Sequence, residues 1–260
     1  MSGTAEEIWH RDFYDDVFAA QCLRRNADEI QKTVAFLMQK LQLDSGMTFF
    51  DQGCGIGQIS LALARQGVSV IGIDLIETYI AEAEKQARAE NLPCTFYTGN
   101  AYEFVPPAAC DAAINWWTSF GYSEDDNKNI LMMKRVFEAL KPGGRFGFEY
   151  KNGERLLKDF AQTNTLCDIS ERDGHHTVWE SRYDPESNMV YKNWIYTAPD
   201  GTRHIKKGGG AKLYTANDIK RLLKEAGFTP PVFYGDIDGR EFDPETAQRC
   251  IAVAAKPEDV

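Results

Sequence analysis

At 260 residues the chain is long enough for one large domain with a full core, and 43% hydrophobic residues is ordinary for a globular protein. A formal charge of −10 argues against a nucleic-acid partner, because phosphate binding calls for a basic surface. Cys22, Cys54, Cys94, Cys110, Cys167 and Cys250 form no C-x-x-C pair and no Cys/His set with zinc spacing, so reduced thiols, a cytoplasmic location and no metal are expected.

The opening residues are polar and acidic, unlike a signal peptide, and no apolar run approaches the roughly 18 residues of a membrane span. Residues 5–43 read as helical. Asn26, with Glu29 three positions on, has the pattern of a capping box, and Ile30, Val34, Leu37 and Leu41 share one helix face. The stretch from Trp9 to Phe18 is rich in aromatics and acids, which suits a docking helix or a lid.

A strand over 48–50 leads into Asp51-Gln52-Gly53-Cys54-Gly55-Ile56-Gly57, and a second strand, 68–73, ends at Asp74. Glycines at every second position let the chain turn sharply and let a ligand reach the main chain, where a new helix presents unpaired N–H groups. An acid closing the next strand is placed to accept hydrogen bonds from ribose hydroxyls. This unit therefore points to a nucleoside-containing cofactor.

Alternation continues with a helix over 79–90, strands at 95–98 and 112–115, and a helix over 126–140. Lys141-Pro142-Gly143-Gly144 is a stop-and-turn signal before a strand at 145–149. Between 153 and 213 the pattern becomes β-rich, with runs at 176–183 and 189–198, and Lys206-Lys207-Gly208-Gly209-Gly210 reads as a mobile loop. A helix over 219–226 and strands at 232–234 and 250–254 complete the order. The expected fold is α/β: a doubly wound, mostly parallel seven-stranded Rossmann-like sheet, with helices 1–43 and an antiparallel β-rich insertion, 153–213, as a cap on a single domain, 1–260.

The glycine spacing does not fit a dinucleotide fingerprint, whose third small residue would fall on Gln58 or Ser60. The D-x-G-x-G-x-G pattern resembles motif I of the class I S-adenosylmethionine (SAM) dependent methyltransferases. Asp74-Leu75, Asn100-Ala101, Asn115-Trp116 and the Lys-Pro-Gly-Gly turn extend the similarity over 27–150, and 214–256 follows the same order. The resemblance implies that Gly53, Gly55 and Gly57 cradle the methionine part of SAM, with Asp51 holding the loop and the amino group. It places Asp74 on the ribose, Leu75 on the adenine face, Asn100 and Ala101 at the adenine edge, and Asn115 and Trp116 along the methionine and acceptor side. Gln52, Ile56 and Ile76 depart from the usual residues of the pattern.

The Asn-Pro-Pro-Tyr signature of enzymes that methylate adenine or glutamine amino groups is replaced by Asn115-Trp116-Trp117-Thr118. That aromatic ledge resembles the small-molecule, natural-product branch, although core packing is an alternative use for both tryptophans. An acceptor wall of Trp9, Tyr14, Trp117, Tyr122, Arg182, Trp194 and Tyr196 is expected, and the candidate bases are His10, Glu149, His175, His176 and His204, of which Glu149, His175 and His176 form the expected catalytic set. The implied reaction moves a methyl group from SAM to oxygen or nitrogen of a small molecule by in-line displacement, leaving S-adenosyl-L-homocysteine. A non-catalytic SAM-binding scaffold and an aminopropyl transferase stand as alternatives. No membrane partner is expected, and a monomer or a homodimer is the expected state.

Overall fold

The computed structural model describes residues 9–10, 12–172 and 174–258. The first part of the expected N-terminal helix, up to residue 8, lies outside them. Trp9 and His10 are helical, α1 (Asp16–Phe18) is capped by Asp15 and runs into a π-helical turn, Ala19–Leu23, and α2 (Ala27–Lys40) follows. Asn26 caps α2 as its sequence predicts, accepting from the Glu29 N–H at 2.7 Å. The Glu29 side chain instead receives Arg249, at 2.9 Å.

Strands and helices then alternate: β1 (Thr48–Gln52), α3 (Gln58–Ala64), β2 (Ser69–Asp74), α4 (Glu77–Ala89), β3 (Cys94–Thr98), β4 (Cys110–Asn115), α5 (Asp126–Ala139) and β5 (Leu140–Lys151). After α6 (Gly153–Phe160) come β6 (Thr165–Arg172), β7 (His175–Asp184), β8 (Met189–Thr197) and β9 (Arg203–Lys212), then α7 (Ala216–Glu225), β10 (Val232–Tyr234) and β11 (Arg249–Ala255). The seven-stranded sheet has the order β10-β11-β5-β4-β1-β2-β3, with β11 antiparallel to both neighbours and the rest parallel. Strand order reverses between β1 and β4, which opens a crevice at their carboxyl ends.

Adjacent phenylalanines on β1 explain the two layers. Successive side chains of a strand point to opposite faces. Phe50 packs with Ile130, Met133 and Val136 of α5 and Leu222 and Leu223 of α7, while Phe49 packs with Val34 and Leu37 of α2 and Ile59 and Leu63 of α3. Each buried phenylalanine is worth about 1.5–3 kcal/mol.

The insertion is a four-stranded antiparallel meander, β6-β7-β8-β9, as its β-rich composition predicts. Two features differ from expectation. Asn152 caps α6 by accepting from the Arg155 N–H at 3.1 Å, and this helix carries no sequence signal strong enough to predict it. Lys206 to Gly210, expected as a mobile loop, are part of β9. The glycines make room there for the N-terminal segment: a Cβ on Gly209 would stand 2.2 Å from Cε2 of Trp9, and one on Gly208 3.0 Å from Cε2 of Phe13. Lys206 further ties β9 down, bonding the Asp15 carboxylate and the Asp12 carbonyl.

Candidate active site

A continuous cavity of about 730 Å³ lies at the carboxyl ends of the parallel strands, between the sheet, the N-terminal segment and the inner face of the meander. Its floor is the glycine loop. Gly53, Gly55 and Gly57 all have positive φ, a backbone region costly for residues bearing a Cβ. A Cβ on Gly57 would also meet that of Ala83 at 2.9 Å, and one on Gly53 that of Ser119 at 2.8 Å. Gly55 faces open space but for Leu23 at 3.9 Å, so its main chain is approachable.

Asp74 terminates β2 on the cavity wall. Its Oδ2 accepts from the Gly55 N–H at 2.9 Å and its Oδ1 from the Ile76 N–H at 3.0 Å. Burial raises its carboxyl, and the N–H groups of Ile76, Gly55 and Leu75 pull it back. The Ile76 bond replaces the side-chain cap that α4 lacks. Leu75, Asn100 and Ala101 line the same wall, and Asn100 Oδ1 accepts from the Tyr102 N–H at 3.0 Å.

Asp51 lies behind the loop and does not line the cavity. Ser60 Oγ donates to it at 2.6 Å. Burial pushes its carboxyl up to about 7, with the Ser60 bond lowering it and the charge of Asp74 adding to the rise. Gln52 also points inward, donating to the Met132 carbonyl at 3.1 Å and accepting from Asn115 Nδ2 at 3.1 Å. This buried amide, an oddity in the sequence, bolts β1 to α5 and β4. Asn115 also donates to the Ser119 carbonyl at 3.0 Å, fixing the turn after β4. Neither it nor Gly57 lines the cavity.

The two adjacent tryptophans diverge. Trp116 is buried and packs on Phe36 at 6.2 Å between ring centroids, in the α2 layer, with one edge on the cavity. Trp117 and Thr118 both hold positive φ, unusual for side chains of this size, and the bend turns the Trp117 ring to the cavity, where Arg25 stands 5.4 Å from its centroid. Tyr122 follows, its hydroxyl 3.4 Å from that of Tyr14, and burial raises both phenols. Trp9 packs edge-on to Tyr122 at 5.8 Å and lines the cavity with His10, Phe13 and Tyr14.

Not every residue expected at the acceptor wall is there. Trp194 and Tyr196 stack in parallel, 5.4 Å apart, in the hydrophobic core between the meander and Phe13 and Phe18. Arg182 is exposed, over the Tyr191 ring at 4.9 Å. Residues of the meander that do reach the cavity include Trp179, Ser181, Val190 and Lys192. His175 bonds the Tyr196 hydroxyl through Nδ1 at 2.6 Å, and neither it nor His176 is on the cavity wall.

Glu149 is on the wall. It stands near the end of β5, 5% exposed, with Oε2 lacking a hydrogen-bond partner. Burial pushes its carboxyl up to about 7, against the lowering effects of Arg249, the Trp117 N–H, Lys151 and Arg25. A carboxyl poised there can exchange a proton near neutral pH.

This geometry agrees with comparisons to known proteins. A methyltransferase-domain family model matches residues 49–144, from β1 through the turn before the long part of β5. A putative methyltransferase of Geobacillus sp. (strain WCH70) is 25% identical over 240 residues, covering 85% of this chain and 91% of that one. Residues 49–144 thus carry a methyltransferase domain, and over most of its length the chain is similar to SAM-dependent methyltransferases. A crystal structure of a SAM-dependent methyltransferase from Clostridium acetobutylicum ATCC 824 shares the fold at a TM-score of 0.78, with 18% identity over 94% of this chain and 97% of that one. The SAM-bound CalS10, described as an amino pentose methyltransferase from Micromonospora echinaspora, does so at 0.68, with 17% identity over 94% and 98%. SAM is thus the cofactor that the family and the glycine floor fit together.

Proposed function

We propose that this methyltransferase acts on oxygen or nitrogen of a small-molecule acceptor held between the carboxyl ends of β4 and β5 and the meander, with S-adenosyl-L-homocysteine as product. One observation carries the reading: the cavity that contains the glycine loop and Asp74 runs without a break to Trp117, Tyr122, Trp179 and Glu149. The described CalS10 substrate class, an amino pentose, is in keeping with such an enclosed acceptor.

SAM supplies an already activated methyl group, so the protein has chiefly to align the acceptor and exclude water. Gly53, Gly55 and Asp74 would hold the methionine and ribose ends. Asp51 acts indirectly, holding the loop through Ser60. The tyrosine pair and Trp117 would shape a dry, aromatic space that tolerates positive charge. Glu149 would accept the proton of an acceptor that does not lose it unaided.

A panel of amines, amino sugars and phenols, assayed by mass spectrometry for a gain of one methyl group with matching release of S-adenosyl-L-homocysteine, tests the reading. Methylation confined to RNA or protein would overturn it. SAM binding without any transfer would favour a scaffold, and transfer of an aminopropyl group would favour the other same-fold reaction.

A further inference from the structure

We propose that Lys151 and Lys192 form a subsite for an anionic oxygen group, a carboxylate or a phosphate, carried by the methyl acceptor. This rests on the small-acceptor reading above and gives it a substrate chemistry. The two residues come from different sheets. Lys151 is the last residue of β5, on the same side of that strand as Glu149. Lys192 lies on β8, in register with Ser181 of β7, which in turn faces Leu166 of β6. All five line the cavity.

Both lysines reach the cavity from opposite sides, near enough for the charge of one to act on the other. Neither forms an ion pair among the described residues. Lys192 also stands 5.6 Å from the Trp179 ring centroid. Other charges on the surrounding elements are engaged elsewhere or stand off. Arg155 and Asp159 of α6 face each other at 4.0 Å, and Arg249 of β11 is held by Glu29 and Asp236. Glu149 and Asp168 favour the charged form of Lys151 but do not close an ion pair with it. Burial and the neighbouring Lys192 push the Lys151 amine well below its ordinary value.

Two like charges brought together in a partly dry site repel, and a bound anion turns that repulsion into two charge-assisted hydrogen bonds. The buried Ser181, opposite Lys192, adds a third donor. The position separates this anion from the cofactor's own carboxylate. β5 lies two strands from β1, about 10 Å across the sheet. Lys151 also lies three residues beyond Phe148, which is level with Gln52 through Asn115, about 10 Å further along the strand direction.

The test uses the full chain saturated with S-adenosyl-L-homocysteine. Thermal unfolding midpoints are compared in inorganic phosphate, in acetate and in chloride at equal ionic strength, for wild type, Lys151→Met and Lys192→Gln. In wild type, phosphate or acetate is expected to raise the midpoint above chloride, and each substitution to abolish that increment. A phosphate response assigns a phosphate-bearing acceptor and an acetate response a carboxylate. In chloride alone the substituted proteins are expected to melt at or above wild type, because a repelling neighbour has gone. The proposal is overturned if neither anion exceeds chloride, or if both substituted proteins respond as wild type does. Methylation found only on macromolecules overturns the small-acceptor reading itself, and is read in a separate assay from the anion response.

Discussion

Gly55 donates its N–H to Asp74 Oδ2 at 2.9 Å, joining the glycine loop to the end of β2 across nineteen residues of chain. With Ile76 on Oδ1, both carboxylate oxygens are fixed in place before any ligand arrives, each with further acceptor capacity. Asp74→Ala should therefore weaken SAM binding by about 1.5–3 kcal/mol, the range for hydrogen bonds to a charged group. Asp74→Asn should weaken it less. Titration calorimetry gives both values, and an unchanged affinity in Asp74→Ala would remove Asp74 from the cofactor site.

The glycine loop yields a ranked series. Gly57→Ala combines positive φ with a Cβ at 2.9 Å from Ala83, whereas Gly55→Ala meets the φ penalty with no close neighbour. The second should cost about 1–2 kcal/mol of stability and the first more. Urea denaturation of the two proteins side by side checks the order; equal losses would mean that the α4 packing yields freely.

Glu149 sets a pH dependence. Its carboxyl is raised by burial from 4.5 to about 7, so the folded chain holds that proton more tightly than the unfolded chain. Its contribution to stability is complete below about pH 4.5 and is lost as pH climbs to about 7. Asp51 behaves alike, so the wild-type curve blends the two, and Glu149→Gln isolates one. That variant should match wild type near pH 4 and exceed it at pH 8, by on the order of 2–3 kcal/mol. If Glu149 is also the base, kcat should fall by roughly 10²–10⁴ in the same variant. Identical stability differences at both pH values would show that the carboxyl titrates normally.

What the sequence made legible follows the reach of its signals. The β1 to β5 alternation, the Asn26 cap and the Asp51–Gly57 turn are local patterns, and they stand where the spacing predicts. The seven-stranded order follows from alternation together with the family resemblance. The Gly208–Gly210 run misled because its reason is nearly two hundred residues away, in the rings of Trp9 and Phe13. Trp194 and Tyr196 misled differently. Aromatic content marks a pocket wall and a small core equally well, and only the strand register shows which rings face Phe18. Lys151 and Lys192 had no local signal at all, since each is an ordinary lysine until β5 and β8 are brought face to face.

The cap offers the sharpest division between structure and binding. Trp194 is fully buried, 5.3 Å from Phe18, while its cross-strand neighbour Trp179 borders the cavity. Trp194→Ala should destabilise the protein by about 3–5 kcal/mol. It should leave SAM affinity of the folded fraction near wild type. Trp179→Ala should cost less stability and raise the acceptor KM. Amide hydrogen exchange completes the argument. S-adenosyl-L-homocysteine alone should protect the glycine loop and the end of β2. Adding an acceptor should extend protection to α1, the π turn and the inner strands of the meander, which border the cavity. Protection confined to the glycine loop and β2 with both ligands present would make the meander a structural appendage and place the acceptor outside it.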